Sequence, residues 1–350
     1  MAKVLVTGAA GLVGAEVTAR LAASGHEVLA LVHRATALVR NDGTAVTGAV
    51  SPVRGDVTRV RFGLSEADWT ALRSSADLVV HCAAITDFGR QARRYEDVNV
   101  TGTAHALELG VPMVHVSTAY VCGERHGVIA EHELETGQRF ANAYEDSKFR
   151  AEQLVRKARA DGVRVAVVRP SIVTGASRTG VVRDFKNLYV VLKLAVEGKV
   201  NSIPGHYDAC LDLVPVDYVA AVVTEAVNRF DEAAGRTFHA VGGPMALREV
   251  SDVLAEYPSC RVPRFVPPST FTAGGLPAAE RIYHERIVSL YGSYFQRKIR
   301  FDDSETVAFL PRHRRATGAA YLRRVLDHCF AAGYLGTPLP GVAEVLAGAR

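Results

Sequence analysis

The sequence predicts a doubly wound α/β fold, in which helices cover both faces of a parallel sheet. Two observations predict it. Short β-rich apolar runs alternate with longer helical patterns through the first half of the 350 residues, as βαβ units require. A glycine-rich string also lies directly between the first such run and the first helical one, where this fold makes its tightest turn.

Strands are expected at Lys3–Thr7, Glu27–Val32, Ser51–Gly55, Leu78–His81, Met113–Ser117 and Val163–Val168. Helices are expected between them at Leu12–Ser24, Glu66–Ser74, Asp97–Leu109 and Tyr144–Asp161. Gly25 stands where a glycine closes a helix in the left-handed conformation. After Gly175 the alternation weakens, although a helix over Asp217–Asn228 and a strand at Thr237–Val241 continue it. From Pro244 onward the chain is rich in Pro, aromatic residues and Arg, and reads as a smaller, mostly helical cap. Residues 1–175 with returning elements at about 211–242 form the dinucleotide-binding domain, and 176–210 with 243–350 the substrate-binding cap.

Composition narrows the function. Hydrophobic residues at 48% and charged residues at 22% describe a globular chain with a large core. A net charge of +4 without a basic stripe in the N-terminal half argues against a nucleic-acid partner. Cys82, Cys122, Cys210, Cys260 and Cys329 lie far apart and read as reduced, buried thiols. The histidines show no ligand spacing, so no metal is expected. A strand beginning at Lys3 leaves no room for a leader, and no run approaches 18 apolar residues. The expectation is a cytoplasmic protein without a membrane span.

The turn reads Thr7-Gly8-Ala9-Ala10-Gly11-Leu12-Val13-Gly14. Gly8 permits the tight turn, Gly11 lets backbone approach a pyrophosphate, and Gly14 allows helix and sheet to pack closely. Leu12 and Val13 open the helix whose N–H groups would face the anion. This is a Rossmann-type dinucleotide site. The second strand ends in Val32-His33-Arg34, without the acid that holds a ribose 2′-hydroxyl. Arg34 suits a 2′-phosphate, so NADP (NADPH) is the expected cofactor. In Gly55-Asp56-Val57, Asp56 either accepts from the adenine amino group or closes a turn. Cys82, Ala83 and Ala84, after the fourth strand, are small enough to leave room for the cofactor.

Tyr144 and Lys148 stand four residues apart at a helix start and so share a face. A nearby ammonium lowers the pKa of a phenol, and can also hold a ribose. The strand ending in Ser117-Thr118 lies 26 residues earlier and brings a hydroxyl beside the tyrosine to polarise a carbonyl.

With Asn99 in Val98-Asn99-Val100 and Arg169-Pro170 after the sixth strand, these motifs resemble the extended short-chain dehydrogenase/reductases. Within them the chain is more similar to the thioester-reductase and fatty-acyl-reductase, or male sterility, branch. The carrying segments are Phe62-Gly63-Leu64-Ser65, His115-Val116-Ser117-Thr118-Ala119-Tyr120-Val121, Asn142-Ala143-Tyr144-Glu145-Asp146-Ser147-Lys148, Val168-Arg169-Pro170-Ser171-Ile172-Val173 and Leu213-Val214-Pro215-Val216-Asp217. The resemblance implies that Thr118 is the hydroxyl member, Tyr144 the proton donor, and Lys148 the pKa-lowering, ribose-binding residue. It also implies that Asn99 holds a backbone kink or a proton-feeding water, with Ser117, Pro170 and Ile172 bordering the cofactor.

The implied activity is NADPH-dependent reduction of an acyl thioester, bound to a carrier protein or coenzyme A, or of the derived aldehyde or ketone. The alternatives are a nucleotide-sugar epimerase or dehydratase, a sterol-type dehydrogenase, and a catalytically silent NADP-binding sensor. Cys122 stands where nucleotide-sugar members carry Tyr before Gly, which counts against the sugar branch. Between Arg281 and Arg324 there are ten Lys/Arg and four Asp/Glu. They read either as a solvated helical face or as a docking surface for an acidic acyl carrier protein or coenzyme A phosphates. Tyr291, Tyr294 and Phe295 read as core of the cap rather than lining of an acyl tunnel.

Overall fold

A computed structural model describes residues 1–35, 37–313 and 315–336. β1 (Lys3–Thr7) buries Val4, Leu5 and Val6 completely, as a strand covered on both faces must. It turns through glycines into α1 (Leu12–Ala23), followed by β2 (Glu27–Val32), β3 (Val50–Arg54), α2 (Glu66–Ser75) and β4 (Leu78–His81). Ser65 caps α2 by accepting from the Asp68 amide at 3.1 Å. Next come α3 (Ala92–Tyr95), a π-helical stretch at Glu96–Thr101, α4 (Gly102–Leu107) and β5 (Met113–Val116).

β6 (Gly127–Ile129) precedes α5 (Ala143–Ala160) and β7 (Val165–Pro170). Asn142 caps α5 by accepting from the Glu145 amide at 2.9 Å. Glu145 and Asp146 in its first turn and Lys157 and Arg159 in its last complement the helix dipole. Beyond β7 lie β8 (Ile172–Thr174), α6 (Leu188–Val196), β9 (Ser202–Pro204), β10 (Cys210–Pro215), α7 (Val216–Asn228) and α8 (Phe230–Ala233). Then follow β11 (Thr237–Ala240), β12 (Pro244–Ala246), α9 (Leu247–Ala255), β13 (Arg264–Val266) and β14 (Ile299–Phe301). A helix over Gly318–Ala331 comes last among the described residues.

Seven parallel strands form the main sheet in the order β11-β7-β5-β4-β1-β2-β3. The chain winds outward from β1 to β3, then returns to β4 on the other side of β1. Thr7 and His81 therefore end neighbouring strands in register, and the crevice beyond them is the topological switch point where such folds bind ligands. α1 and α7 pack together over an apolar layer that includes Val17, Leu21, Val219 and Val223. The other layer joins Leu72, Ala106, Leu109 and Val155 to the opposite side chains of the sheet.

A further core gathers α6, α9 and the helix Gly318–Ala331 around Leu192, Val253, Leu322 and Val325. Short strands reinforce this region: β8 and β12 flank β10, β13 pairs with β9, and β14 pairs with β6.

Two sequence expectations shift for identifiable reasons. The strand expected at Val163–Val168 begins two residues later, because Val163 still belongs to the end of α5. Its amide donates to the Ala158 carbonyl at 2.9 Å, and that of Gly162 (φ +95°) to Arg159 at 3.1 Å, a Schellman closure. The helix expected at Asp97–Leu109 is α-helical only from Gly102. The π-helical turn before it carries the buried Asn99, and such turns recur at functional sites.

Candidate active site

Gly8 turns the chain at φ +66°, and a Cβ there would lie 2.7 Å from the Ala83 backbone. At Gly14 a Cβ would approach the Gly8 carbonyl oxygen to 2.1 Å, so glycine is required for helix and turn to meet. Gly11 differs. Its nearest neighbour would be the Gly8 oxygen at 3.1 Å, and the residue borders open space. As N-cap of α1 it supplies no side-chain acceptor. The first amides of the helix are thus free to bind an anion, and the residues present fit a dinucleotide diphosphate.

A buried polar chain links this turn to α5. Thr103 Oγ1 donates to the Asn99 carbonyl at 2.7 Å, so it accepts from His81 Nε2 at 3.1 Å. His81 Nδ1 of the neutral ring then accepts from Thr7 Oγ1 at 2.8 Å, and Thr7 Oγ1 accepts from the Ala83 amide at 3.3 Å. Burial, with the Lys148 charge adding to it, pushes His81 down to about 3, which keeps it neutral. Asn99 clamps Ile85 through both main-chain groups, at 2.8 and 3.2 Å, and donates to Ser147 Oγ at 2.9 Å. It thereby ties the segment after β4 to α5.

Lys148 is buried and donates from Nζ to the Val116 carbonyl at 2.9 Å. Burial lowers its ammonium to about 8, against the pull of the Glu152 carboxylate. Tyr144 is half-buried; burial pushes its phenol up to about 12, while the Thr118 hydroxyl beside it acts in the opposite sense. The Lys148 ammonium is turned to the end of β5, and burial is the largest influence on the Tyr144 phenol. Thr118 Oγ1 donates to the Pro170 carbonyl at 3.2 Å and accepts from the Tyr120 amide at 3.3 Å.

A cavity of about 420 Å³ joins these parts. Of the residues expected at the site, Gly11, Leu12, Val13, Gly14, Cys82, Ala84, Thr118, Tyr144 and Ile172 line it, whereas Thr7, Gly8, Ala83, Lys148 and Pro170 are not part of its lining. Nor is Ser117. Neighbours along an extended strand face opposite ways, and its hydroxyl donates to Glu152 at 2.7 Å instead. Val57 is also displaced from the expected role: it is buried in the core against Gly102. Asp56 closes a turn, accepting from the Thr58 amide and hydroxyl at 3.0 and 2.8 Å, with His33 at 3.4 Å. Arg34 is exposed just beyond β2.

The walls are completed by Phe88, absent from the sequence reading, and by Tyr291, Tyr294 and Phe295, read there as core of the cap rather than lining. Phe88 stacks on Tyr291 with centroids 5.0 Å apart and lies 5.7 Å from the rings of Tyr144 and Tyr294. Tyr291, Tyr294 and Phe295 all line the cavity, although Tyr294 and Phe295 are also buried core. Arg183, Lys186 and Asn187 border it as well.

The basic stretch from Arg281 to Arg324 is not one free surface. Arg297 is buried against Glu145 at 2.8 Å, Arg315 pairs with Asp303, Lys298 with Asp208, and Arg323 with Glu256 at 2.6 Å. Arg281 and Arg324 donate to main-chain carbonyls. Arg314 lies outside the described residues. Among those described, no helix is long and apolar enough to cross a membrane.

Residues 6–223 match the family described as Male sterility protein. L-2-aminoadipate reductase of Saccharomyces cerevisiae is 29% identical over 195 residues, which cover 50% of this chain and 14% of the yeast protein. The chain thus spans a small part of that relative. The terminal R domain from the myxalamid PKS-NRPS biosynthetic pathway superposes with a TM-score of 0.81 at 26% identity, covering 97% of this chain and 93% of that one. UDP-glucuronic acid 4-epimerase from Bacillus cereus shares the fold, with a TM-score of 0.67 at 18% identity over 95% of this chain and 98% of its own.

The buried lysine gives stability a defined pH dependence. The Lys148 pKa falls from 10.5 to about 8 on folding, so between those values the unfolded chain binds more protons and stability rises with pH. Compared with Lys148→Met, which has nothing to titrate there, the wild type should gain stability from pH 8 towards 10.5. Urea unfolding of both proteins measures this. A difference that stays constant with pH would show that the ammonium is not desolvated.

Proposed function

Because the chain belongs to the male sterility protein family of extended short-chain dehydrogenase/reductases, we propose that it reduces an acyl thioester, or the derived aldehyde or ketone, with NADPH. One observation carries this reading. A single cavity runs from the uncapped start of α1 past Thr118 and Tyr144 to an aromatic wall of Phe88, Tyr291 and Tyr294. It offers an anion site, a proton donor and an apolar surface in continuity.

The reduced nicotinamide, when bound, supplies a hydride for the substrate carbonyl. Gly11, Leu12 and Val13 hold the diphosphate against the helix N-terminus, with Gly8 and Gly14 giving the turn its closeness. Thr118 offers its hydroxyl to the carbonyl oxygen in place of the Pro170 carbonyl. Tyr144 gives that oxygen its proton. The phenol is protonated at neutral pH, as a proton donor in the reductive direction must be. Lys148, near 8, retains most of its charge at neutral pH and can hold a ribose hydroxyl.

Residues 1–175 with about 211–242 serve as the cofactor-binding unit in this account, and 176–210 with 243–350 as the acyl-binding cap. Likeness to the R domain of a PKS-NRPS pathway supports an acyl group delivered on a carrier protein, with coenzyme A as the other source.

Tyr144→Phe should keep cofactor affinity and lose turnover by about 10²–10⁴; turnover within a few-fold of wild type would require another acid. Arg34→Glu should weaken NADPH binding and move preference towards NADH, as titration with both cofactors would show. Unchanged NADPH affinity would remove Arg34 from the site.

A further inference from the structure

Arg183 lies between β8 and α6, far in sequence from the phosphate turn, yet borders the same cavity as Gly11, Leu12 and Val13. One terminal nitrogen of its guanidinium donates to the carbonyl of Ala10, inside the glycine turn. The other donates to the carbonyl of Val39, in the loop beyond β2. The carboxylate nearest to it among the described residues is its neighbour Asp184, 3.5 Å from Nε and half exposed. A fixed cation with this little compensation, beside free helix amides, is an anion-binding group.

The segment around Arg183 is anchored at its other end too. Lys186 pairs with Asp87 at 3.2 Å, and Asn187 donates to the Thr86 carbonyl at 3.2 Å. Asn187 itself adopts φ +52° and ψ −107°, a strained backbone for a residue with a side chain. The strap thus stretches from the glycine turn to the segment after β4, and Lys186 and Asn187 border the cavity along it.

We propose that Arg183 is a diphosphate-binding residue, delivered to the glycine turn by the strap from outside the first 175 residues. Each terminal nitrogen gives one N–H to a carbonyl and keeps a second. The carbonyl bonds fix the fork, and the remaining donors and the charge serve the cofactor phosphates. This inference rests on the reading of the cavity as a nicotinamide-cofactor site.

Calorimetric titration separates the two claims. Wild type and Arg183→Gln are each titrated with NADPH, with 2′-phospho-ADP-ribose, which has the diphosphate but no nicotinamide, and with adenosine 2′-monophosphate, which lacks the diphosphate. The substitution should weaken the first two by about ten- to hundredfold, the range of a charge-assisted contact, and leave the third unchanged. Added salt should shrink the difference. Should Arg183→Gln lose the fold, Arg183→Lys, with a cation but no paired fork, carries the same comparison. Equal loss on all three ligands would mean that Arg183 only holds the Val39 loop and turn, and no loss would mean that it does not touch the phosphates; either overturns the proposal. A wild type that binds neither NADPH nor NADH would overturn the cofactor reading itself.

Discussion

The site is organised around one buried ion pair. Arg169, at the end of β7, holds Glu152 of α5 through Nε at 3.0 and 3.1 Å and through Nη2 at 2.5 Å, and both residues are almost fully buried. Glu152 also takes the Ser117 hydroxyl, and Arg169 donates to the Glu131 carbonyl at 3.1 Å. Burial pushes the Glu152 carboxyl up, but Arg169 outweighs it and holds the group below its ordinary range. Such a pair gains little stability over apolar packing. Losing one partner, however, costs about 3–5 kcal/mol, because a bare charge is left inside. The ends of β5 and β7 and the middle of α5 are therefore fixed together, and these elements carry Thr118, Pro170, Tyr144 and Lys148.

The constraint extends outward. The Glu131 carboxylate accepts from the His239 amide of β11 and from the amides of Glu305 and Thr306 after β14, at 2.7–3.1 Å. Glu145, beside Tyr144, is buried against Arg297. Late segments of the chain are thus bound to α5 by charge as well as by packing, and the aromatic wall is held in place beside Tyr144. At the other end of the cavity the first amides of α1 have no cap.

Much of this was legible in the residues. β1, β2 and β4 fall where apolar runs place them, since strands buried on both faces read as continuous hydrophobic segments. Gly8 and Gly14 are recognisable because each meets a steric demand that the strand–turn–helix context creates, and Gly11 because it opens the helix without a side chain. The opposite facing of Ser117 and Thr118 follows from strand alternation. Glu152, four residues after Lys148, repeats the helical spacing of Tyr144 and Lys148, so its place beneath the site was also readable. What could not be read depends on contacts between distant segments. Arg183 reaches Ala10 across 173 residues, and the partners that neutralise the late arginines and lysines, such as Glu145, Asp208 and Glu256, lie far from them in sequence. Local pattern carries no signal for such pairs.

The account is tested most directly by following NADPH oxidation and identifying the product with a panel of acyl-coenzyme A esters, carrier-bound acyl thioesters, aldehydes and nucleotide sugars. It predicts thioester- or aldehyde-dependent oxidation of NADPH with formation of the corresponding aldehyde or alcohol. Inertness towards every acyl substrate, together with turnover of a nucleotide sugar, would contradict it.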